Sequence, residues 1–245
     1  MDIGIPDQYV SSVDSIVNHV QQTDSTPHVG SLDELPASQL DVMIIEGDDG
    51  YSAALKNGCD IPLLPVDASP GIEPVPLESL GNAIAAITAR NAECIDRIGL
   101  RVESGPVETM AAYSLVVGTD EPAAISEFAV LTGDCAICRY RADGIIISTP
   151  AGTSTYPRSA GSAQIGPSVH ALSVLPLSPY RKSADDWILA PDDIRIEILR
   201  EEVPVAILAD AHTSEPISPG SVVRIRGLPR VTTIRVPDSR SPFFE

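Results

Sequence analysis

The chain has 245 residues, 43% hydrophobic but only 4% aromatic, and sets 34 Asp and Glu against 16 Lys and Arg for a formal net charge of −18. That length can bury a sizeable core in one large domain or two small ones. No basic patch is visible, which argues against duplex nucleic acid as a partner, and the longest apolar run falls far short of the roughly 20 residues of a membrane span.

The opening MDIGIPDQYV lacks the basic and apolar regions of a signal peptide, so a soluble cytoplasmic protein without membrane contact is expected. The only lysines are Lys56 and Lys182; every other basic residue is arginine. Scarce lysine and an acidic surface point to a high-salt cytoplasm, where ions screen self-repulsion. An ordinary acidic mesophilic protein is the alternative.

In chain order, Val10, Val13, Val17 and Val20 fall at helical spacing and predict a short amphipathic helix over 9–22. The polar, proline-broken stretch 23–39 reads as a loop. Residues 41–45 form an apolar run that reads as a buried strand, ends at Gly47-Asp48-Asp49-Gly50 and passes into a weak helix over 51–56. A second strand, 61–66, leads into a proline-rich connection. Leu80, Ile84 and Ile87 mark the longest helical pattern, 77–98. Strands alternating with helices predict a small Rossmann-like α/β domain with a parallel sheet over 1–98.

Beyond Gly99 the pattern changes to short apolar or alternating runs at 100–103, 110–117, 125–131, 144–149, 171–175, 194–199, 205–208, 222–225 and 231–236. Ile194, Ile196 and Ile198 alternate with Arg195 and Glu197, the period of a half-buried strand. Turn residues punctuate the runs. Residues 99–245 therefore read as a mainly antiparallel domain, a β-sandwich, whose C-terminal tail can return to the first domain. The fold class expected is α/β plus all-β.

Cys59, Cys94, Cys135 and Cys138 suit a reducing compartment. Cys135 and Cys138 form a lone C-x-x-C at the start of a probable-strand pattern, CAICRYRA, without the second pair a structural zinc site wants. Small hydrophobes and turn residues are the simpler reading, with metal or redox use as the other.

Two segments carry chemistry. The junction at Gly47-Asp48-Asp49-Gly50 is a strand–Gly–Asp–Gly–helix arrangement, which can present backbone amides and a carboxylate to a phosphorylated ligand. An ordinary Asp-Gly turn reads the same way. The segment 143–159, DGIIISTPAGTSTYPRS, runs a β-branched strand into a turn dense in small residues and hydroxyls. Such a turn admits a ligand close to the backbone and offers directed hydrogen bonds; a ligand-free connection is the alternative. Ser126-Glu127 is, on its own, a polar pair beside a strand.

Asp143-Gly144 and Thr149-Pro150-Ala151-Gly152-Thr153-Ser154-Thr155-Tyr156, closed by Ser159, resemble the D-G-x-x-x-x-T-P-T-G-S-T-A-Y-x-x-S signature of the NAD kinase family. Gly47-Asp48-Asp49-Gly50-Tyr51 resembles that family's G-G-D-G-T, with Asp48 replacing glycine and Tyr51 replacing threonine. The setting Ala124-Ile125-Ser126-Glu127-Phe128 resembles its A-L-N-E-V, with serine for asparagine. Leu175-Pro176-Leu177-Ser178-Pro179-Tyr180 resembles its L-T-P-I-C-P-H stretch, and Ala209-Asp210-Ala211-His212 its D-G-Q-like turn.

The resemblance implies phosphorylation of NAD at the adenosine 2′-hydroxyl to give NADP, with ATP or polyphosphate as donor and Mg²⁺ or another divalent cation. It implies Asp49 as the base for that hydroxyl, Gly47 and Gly50 against phosphate, and Gly50, Ser126, Glu127, Arg141, Asp143, Ser154, Thr155, Tyr156, Ser159 and His212 as dinucleotide contacts. It also implies a homo-oligomer, a dimer or tetramer; with the composition, the member is of haloarchaeal type. A catalytically inactive dinucleotide-binding paralogue is the rival reading, and a lipid or small-alcohol kinase, which shares G-G-D-G, is a third.

Overall fold

The structure is a computed structural model that describes all residues except 122–124, 182–184, 201–202, 211–212, 218–219, 229 and 242–245. The chain divides into two compact units, Met1–Arg97 with Arg230–Glu245, and Ile98–Pro229.

The first unit runs β1 (Asp2–Pro6), α1 (Val13–Gln21), β2 (Thr26–Gly30), β3 (Val42–Glu46), α2 (Gly47–Lys56), β4 (Leu63–Val66), α3 (Leu80–Thr88) and β5 (Glu93–Ile98). In the second, β6 (Leu100–Ser104), β7 (Val107–Ala111), β8 (Ser114–Thr119), β9 (Ser126–Thr132), β10 (Cys135–Ala142) and β11 (Gly144–Ser148) precede the short α4 (Tyr156–Ser159). Then come β12 (Leu172–Leu177), β13 (Trp187–Leu189), β14 (Ile194–Arg200), β15 (Val205–Ala209), β16 (Thr213–Ile217) and β17 (Val222–Arg226). Last, β18 (Arg230–Arg235) completes the sheet of the first unit.

That sheet has the order β2-β1-β3-β4-β18-β5, and the pairs β1–β2, β1–β3, β3–β4 and β4–β18 are parallel. Both faces are covered, which is why 42–45 is an unbroken apolar run. Val42 and Ile44 join Ile16 and Val20 of α1 and Leu80 and Ile84 of α3 in one core, while α2 packs across β3 and β4. The strand order reverses direction beside β1 and β3, and the carboxyl ends of strands at such a switch point are where open α/β sheets bind ligands. The Gly47–Gly50 turn lies at the carboxyl end of β3.

The second unit is two antiparallel sheets, β10-β9-β14-β17-β6-β7 and β13-β12-β11-β8-β15-β16. Phe128, Val130, Ile194 and Ile196 from one share a core with Leu115, Val117, Ile145 and Ile147 from the other. The α/β-plus-β-sandwich class expected from the sequence is the observed one. No helix among the described residues is long and apolar enough to cross a membrane.

Several elements differ from the sequence expectation. The stretch read as a loop contains β2, and β1 precedes the first helix, which is shorter than expected and follows a 3-10 turn at Asp7–Tyr9. The helix expected over 77–98 stops at Thr88. Arg90 enters the left-handed region at φ 59° and the Asn91 amide bonds back to the Ala86 carbonyl at 2.8 Å, closing the helix end. Ile95 and Ile98 then belong to β5, because a short apolar pair satisfies either period.

Candidate functional site

At the end of β3, Gly47 takes φ 68°, a left-handed conformation that turns the chain directly into α2. Asp48 and Asp49 occupy the first helical turn, where the helix dipole favours negative charge. They differ in what they do. Asp48 Oδ1 accepts the Ser69 amide at 2.8 Å and Oδ2 accepts the Ser69 hydroxyl at 2.5 Å. The Asp49 carboxylate is exposed, and no hydrogen bond or ion pair engages it among the described residues. A β-carbon at Gly50 would lie 3.3 Å from the Tyr9 carbonyl oxygen, close enough that the chain after β1 would have to yield by a few tenths of an ångström to admit it. Tyr51 is a fully buried core residue.

The entry to the turn is held by Glu46. Its carboxylate accepts the Ser12 amide at 3.0 Å, the Ser12 hydroxyl at 2.8 Å and the Ser11 hydroxyl at 3.1 Å. Burial alone would raise its pKa, but the Ser12 and Ser11 hydrogen bonds outweigh burial and hold it below the ordinary carboxyl value. The segment after β4 is also tied down. Arg97, 3% exposed, donates to Glu73 at 2.8 Å, to the Gly71 carbonyl at 3.1 Å and to Thr233 at 2.9 Å, and Arg235 adds a 3.1 Å bond to Glu73.

In the second unit, β9 and β10 place Ser126 and Glu127 on opposite faces of the sheet. Ser126 is 1% exposed and on the inward face, its Oγ without a hydrogen-bond partner among the described residues. Glu127 faces outward and accepts from Arg139 Nε at 2.5 Å, with Arg141 opposite it on β10 and Arg200 on β14. The Arg139 hydrogen bond, helped by the Arg139, Arg141 and Arg200 charges and opposed by burial, keeps the Glu127 carboxyl below its usual range.

A cavity of about 640 Å³ opens at this edge, lined by Glu127, Arg139, Tyr140, Arg141, Tyr180 and Arg181 among others. Its volume suits a small-molecule ligand. The Arg141 guanidinium lies 5.2 Å from the Tyr180 ring centroid, and the Tyr180 amide donates to the Arg141 carbonyl at 2.8 Å. The cavity thus brings together Glu127 and Arg141 of the expected contacts and adds Arg139, Tyr180 and Arg181. The period-2 spacing of Arg139 and Arg141 in CAICRYRA was the available signal for the first; nothing local marked Arg181. Cys138 also borders the cavity, and burial pushes its thiol pKa up.

Asp143 is half-buried between β10 and β11, its amide donating to the Leu177 carbonyl at 3.0 Å. The following loop folds on itself through hydroxyls: Thr153 donates to the Pro150 carbonyl at 2.9 Å, Ser154 to Ala151 at 3.0 Å and Thr155 to Gly152 at 2.8 Å. Those hydroxyl oxygens still carry lone pairs able to accept from a ligand. Thr153 is buried, Ser154 and Thr155 are partly exposed, and Tyr156, 59% exposed, and Ser159 face solvent. His212 lies outside the described residues.

The family model of the ATP-NAD kinase C-terminal domain matches residues 112–235, half of the chain and all of this loop. The chain belongs to the NAD kinase family. The NAD kinase of Methanosarcina mazei is 32% identical over 124 residues, covering 50% of this chain and 43% of that protein. The NAD kinase of Heliobacterium modesticaldum is 28% identical over 200 residues, 77% of this chain and 70% of that one. The match to the methanosarcinal NAD kinases therefore spans less than half their length.

Among solved structures, the NAD kinase of Archaeoglobus fulgidus in complex with ATP superposes with a TM-score of 0.72 at 18% identity, over 97% of this chain and 94% of that one. Yeast NADH kinase complexed with NADH gives 0.74 at 14% identity, over 96% and 83%. These two likenesses are of NAD kinase fold to NAD kinase fold.

Proposed function

We propose that this NAD kinase family member transfers the γ-phosphoryl group of ATP, or the terminal phosphoryl of polyphosphate, to the adenosine 2′-hydroxyl of NAD and releases NADP. The observation that carries the reading is Asp49: an exposed carboxylate without a partner among the described residues, on the first turn of α2, at the carboxyl end of a central parallel strand, in a chain whose residues 112–235 match the family model.

Asp49 accepts the 2′-hydroxyl proton as that oxygen attacks the γ-phosphorus, and ADP carries away the electrons of the broken P–O bond. Amides at the start of α2, after Gly47 and at Gly50, receive phosphate oxygens. Glu127, Arg141, Asp143, the turn from Ser154 to Ser159 and, in the undescribed segment, His212 hold the acceptor.

The residues present fit a magnesium ion brought with the triphosphate. The described residues contain no cluster of three or more acidic, histidine or cysteine side chains for a dedicated cage, whereas Mg²⁺ is commonly held by one or two carboxylates together with substrate phosphates. Asp49 supplies such a carboxylate, and the cation, when bound, neutralises charge on the phosphates. ATP as donor is supported by the Archaeoglobus complex, and NADH as a further acceptor by the yeast complex. A homo-oligomer and a high-salt cytoplasmic setting complete the proposal.

Asp48 favours the rival reading of a catalytically inactive dinucleotide binder, because a carboxylate tied to Ser69 stands where the family has glycine. Incubation with NAD, ATP and Mg²⁺ in concentrated KCl decides between them. NADP formation is expected; folded protein that binds NAD yet yields no NADP with ATP or polyphosphate leaves the binding-module reading.

A further inference from the structure

The corner Ala112-Tyr113 carries the chain from β7 in one sheet of the second unit to β8 in the other. Backbone at such a crossing leaves the ladder of the first sheet before joining that of the second, so its amides need other acceptors. One side chain supplies them. Asp210 Oδ2 accepts the Ala112 amide at 2.7 Å, and Oδ1 accepts the amides of Tyr113 at 2.8 Å and Ser114 at 3.0 Å. Consecutive amides converging on one carboxylate form an anion nest within the protein itself. Asp210 sits at φ 50°, just past β15, and its own amide donates to the Ser114 carbonyl at 2.9 Å. The left-handed conformation, tolerable for aspartate, aims the carboxylate along the corner.

The carbonyls of the same two residues point the other way, to the loop at 149–159. Thr149 Oγ1 lies 3.0 Å from the Ala112 carbonyl and 3.2 Å from that of Tyr113, and the Thr149 amide donates to Tyr113 at 3.0 Å. Gly152 rests on this peptide so closely that a β-carbon would fall 1.9 Å from the Tyr113 oxygen. Its amide donates to Thr149 Oγ1 at 3.1 Å, and the Gly152 carbonyl receives the Thr155 amide at 3.0 Å. The path from Asp210 to Thr155 is thus a continuous series of hydrogen bonds through two peptide groups, all inside one unit.

We propose that Asp210 is a positioning residue that sets the dinucleotide loop from behind: its carboxylate fixes the Ala112–Ser114 peptides, and their opposite edge is the template on which Thr149 and Gly152 shape the Ser154–Ser159 turn. The functional part of this inference rests on the NAD kinase reading above; the structural coupling does not. The hydrogen bonds that join Asp210 to this turn run through the peptides of Ala112, Tyr113 and Ser114. Loss of Asp210 therefore acts on acceptor binding through loop geometry, while the phosphate turn at Gly47–Gly50 belongs to the other unit.

The test compares wild type with Asp210→Asn and Asp210→Ala. Asparagine keeps one acceptor for the Tyr113 and Ser114 amides but turns an NH₂ toward Ala112, so its effect falls between those of aspartate and alanine. The KM for NAD, and its Kd by calorimetry, rises on the order of ten- to a hundredfold, the size expected from losing charge-assisted hydrogen bonds. The KM for ATP stays unchanged. A role in general stability alone would lower the active fraction and leave both KM values in place, which overturns the proposal. Amide hydrogen exchange provides the second readout: the amides of 112–114 and of 152–155 lose protection together in Asp210→Asn. Should wild type neither bind NAD nor form NADP, the kinase reading falls, and coupled exchange still decides whether Asp210 sets the loop. Unchanged protection at 152–155 when that at 112–114 is lost refutes the coupling.

Discussion

The carboxylate of Asp48 is bonded at both oxygens to Ser69, to the amide at 2.8 Å and to the hydroxyl at 2.5 Å. It joins the first turn of α2 to the connection after β4, 21 residues on. A side chain that reads in the sequence as a replacement for the family's glycine is a structural tie. Substituting Asp48→Gly is accordingly expected to destabilise the protein by about 1–2 kcal/mol, from lost charge-assisted bonds and a glycine in a helix. A double-mutant cycle with Ser69→Ala in urea checks this. Coupling near zero would make the pair incidental, and a large gain of kinase activity in Asp48→Gly would show that the carboxylate obstructs the site.

Asp49→Asn separates chemistry from binding. With its carboxylate exposed and uncommitted, replacement leaves folding intact and lowers kcat for NADP formation by roughly 10²–10⁴, the usual share of a general base. NAD affinity measured calorimetrically stays within about twofold. Loss of NAD binding with kcat preserved would assign Asp49 to the acceptor instead.

Gly152→Ala tests the contact between the loop and the corner beneath it. A β-carbon 1.9 Å from the Tyr113 carbonyl oxygen cannot be accommodated without moving backbone. The expected cost is on the order of 3 kcal/mol or more, with loss of NAD binding in whatever protein remains folded. Thermal denaturation and NAD titration of the variant measure the two effects, and wild-type values for both would mean that the loop and the corner are free to separate.

Glu46 gives the first unit a pH dependence of definite sign. Its pKa in the folded protein lies below its unfolded value, because Ser12 and Ser11 hydrogen bonds to the ionised form outweigh burial. Its contribution is fully present above the unfolded pKa of about 4.3 and is lost as pH falls through the folded value. Glu46→Gln should lower stability at pH 7, and the difference from wild type should shrink as pH falls below about 4. A constant gap from pH 7 to pH 3 in denaturant titrations would show that ionisation of Glu46 contributes nothing.

How much was legible follows from the range of the forces involved. The loop at 143–159 could be read directly, since its identity is a local string of small and hydroxyl residues. Strands β9, β11 and β14 could be read because burial on one or both faces writes itself as alternation or as an unbroken apolar run. β1 and β2 could not: DIGIP and TPHVG are short, interrupted by glycine and proline, and become strands through parallel pairing with each other and with β3. Tyr51 looked like a departure in a binding motif and is a core side chain, because α2 packs on β3, β4 and β18, strands that the sequence does not mark as its neighbours.

By itself, the sequence determined the class of each domain and the local loops that carry the family's chemistry, because periodicity and turn composition act over a few residues. The tertiary structure alone decided which carboxylates are committed. Asp48 finds Ser69 and Asp210 finds the amides of 112–114 across separations of 21 and up to 98 residues, while Asp49 has no partner among the described residues. Such partners are chosen by how sheets and connections pack, and packing brings together groups that no spacing along the chain marks as neighbours.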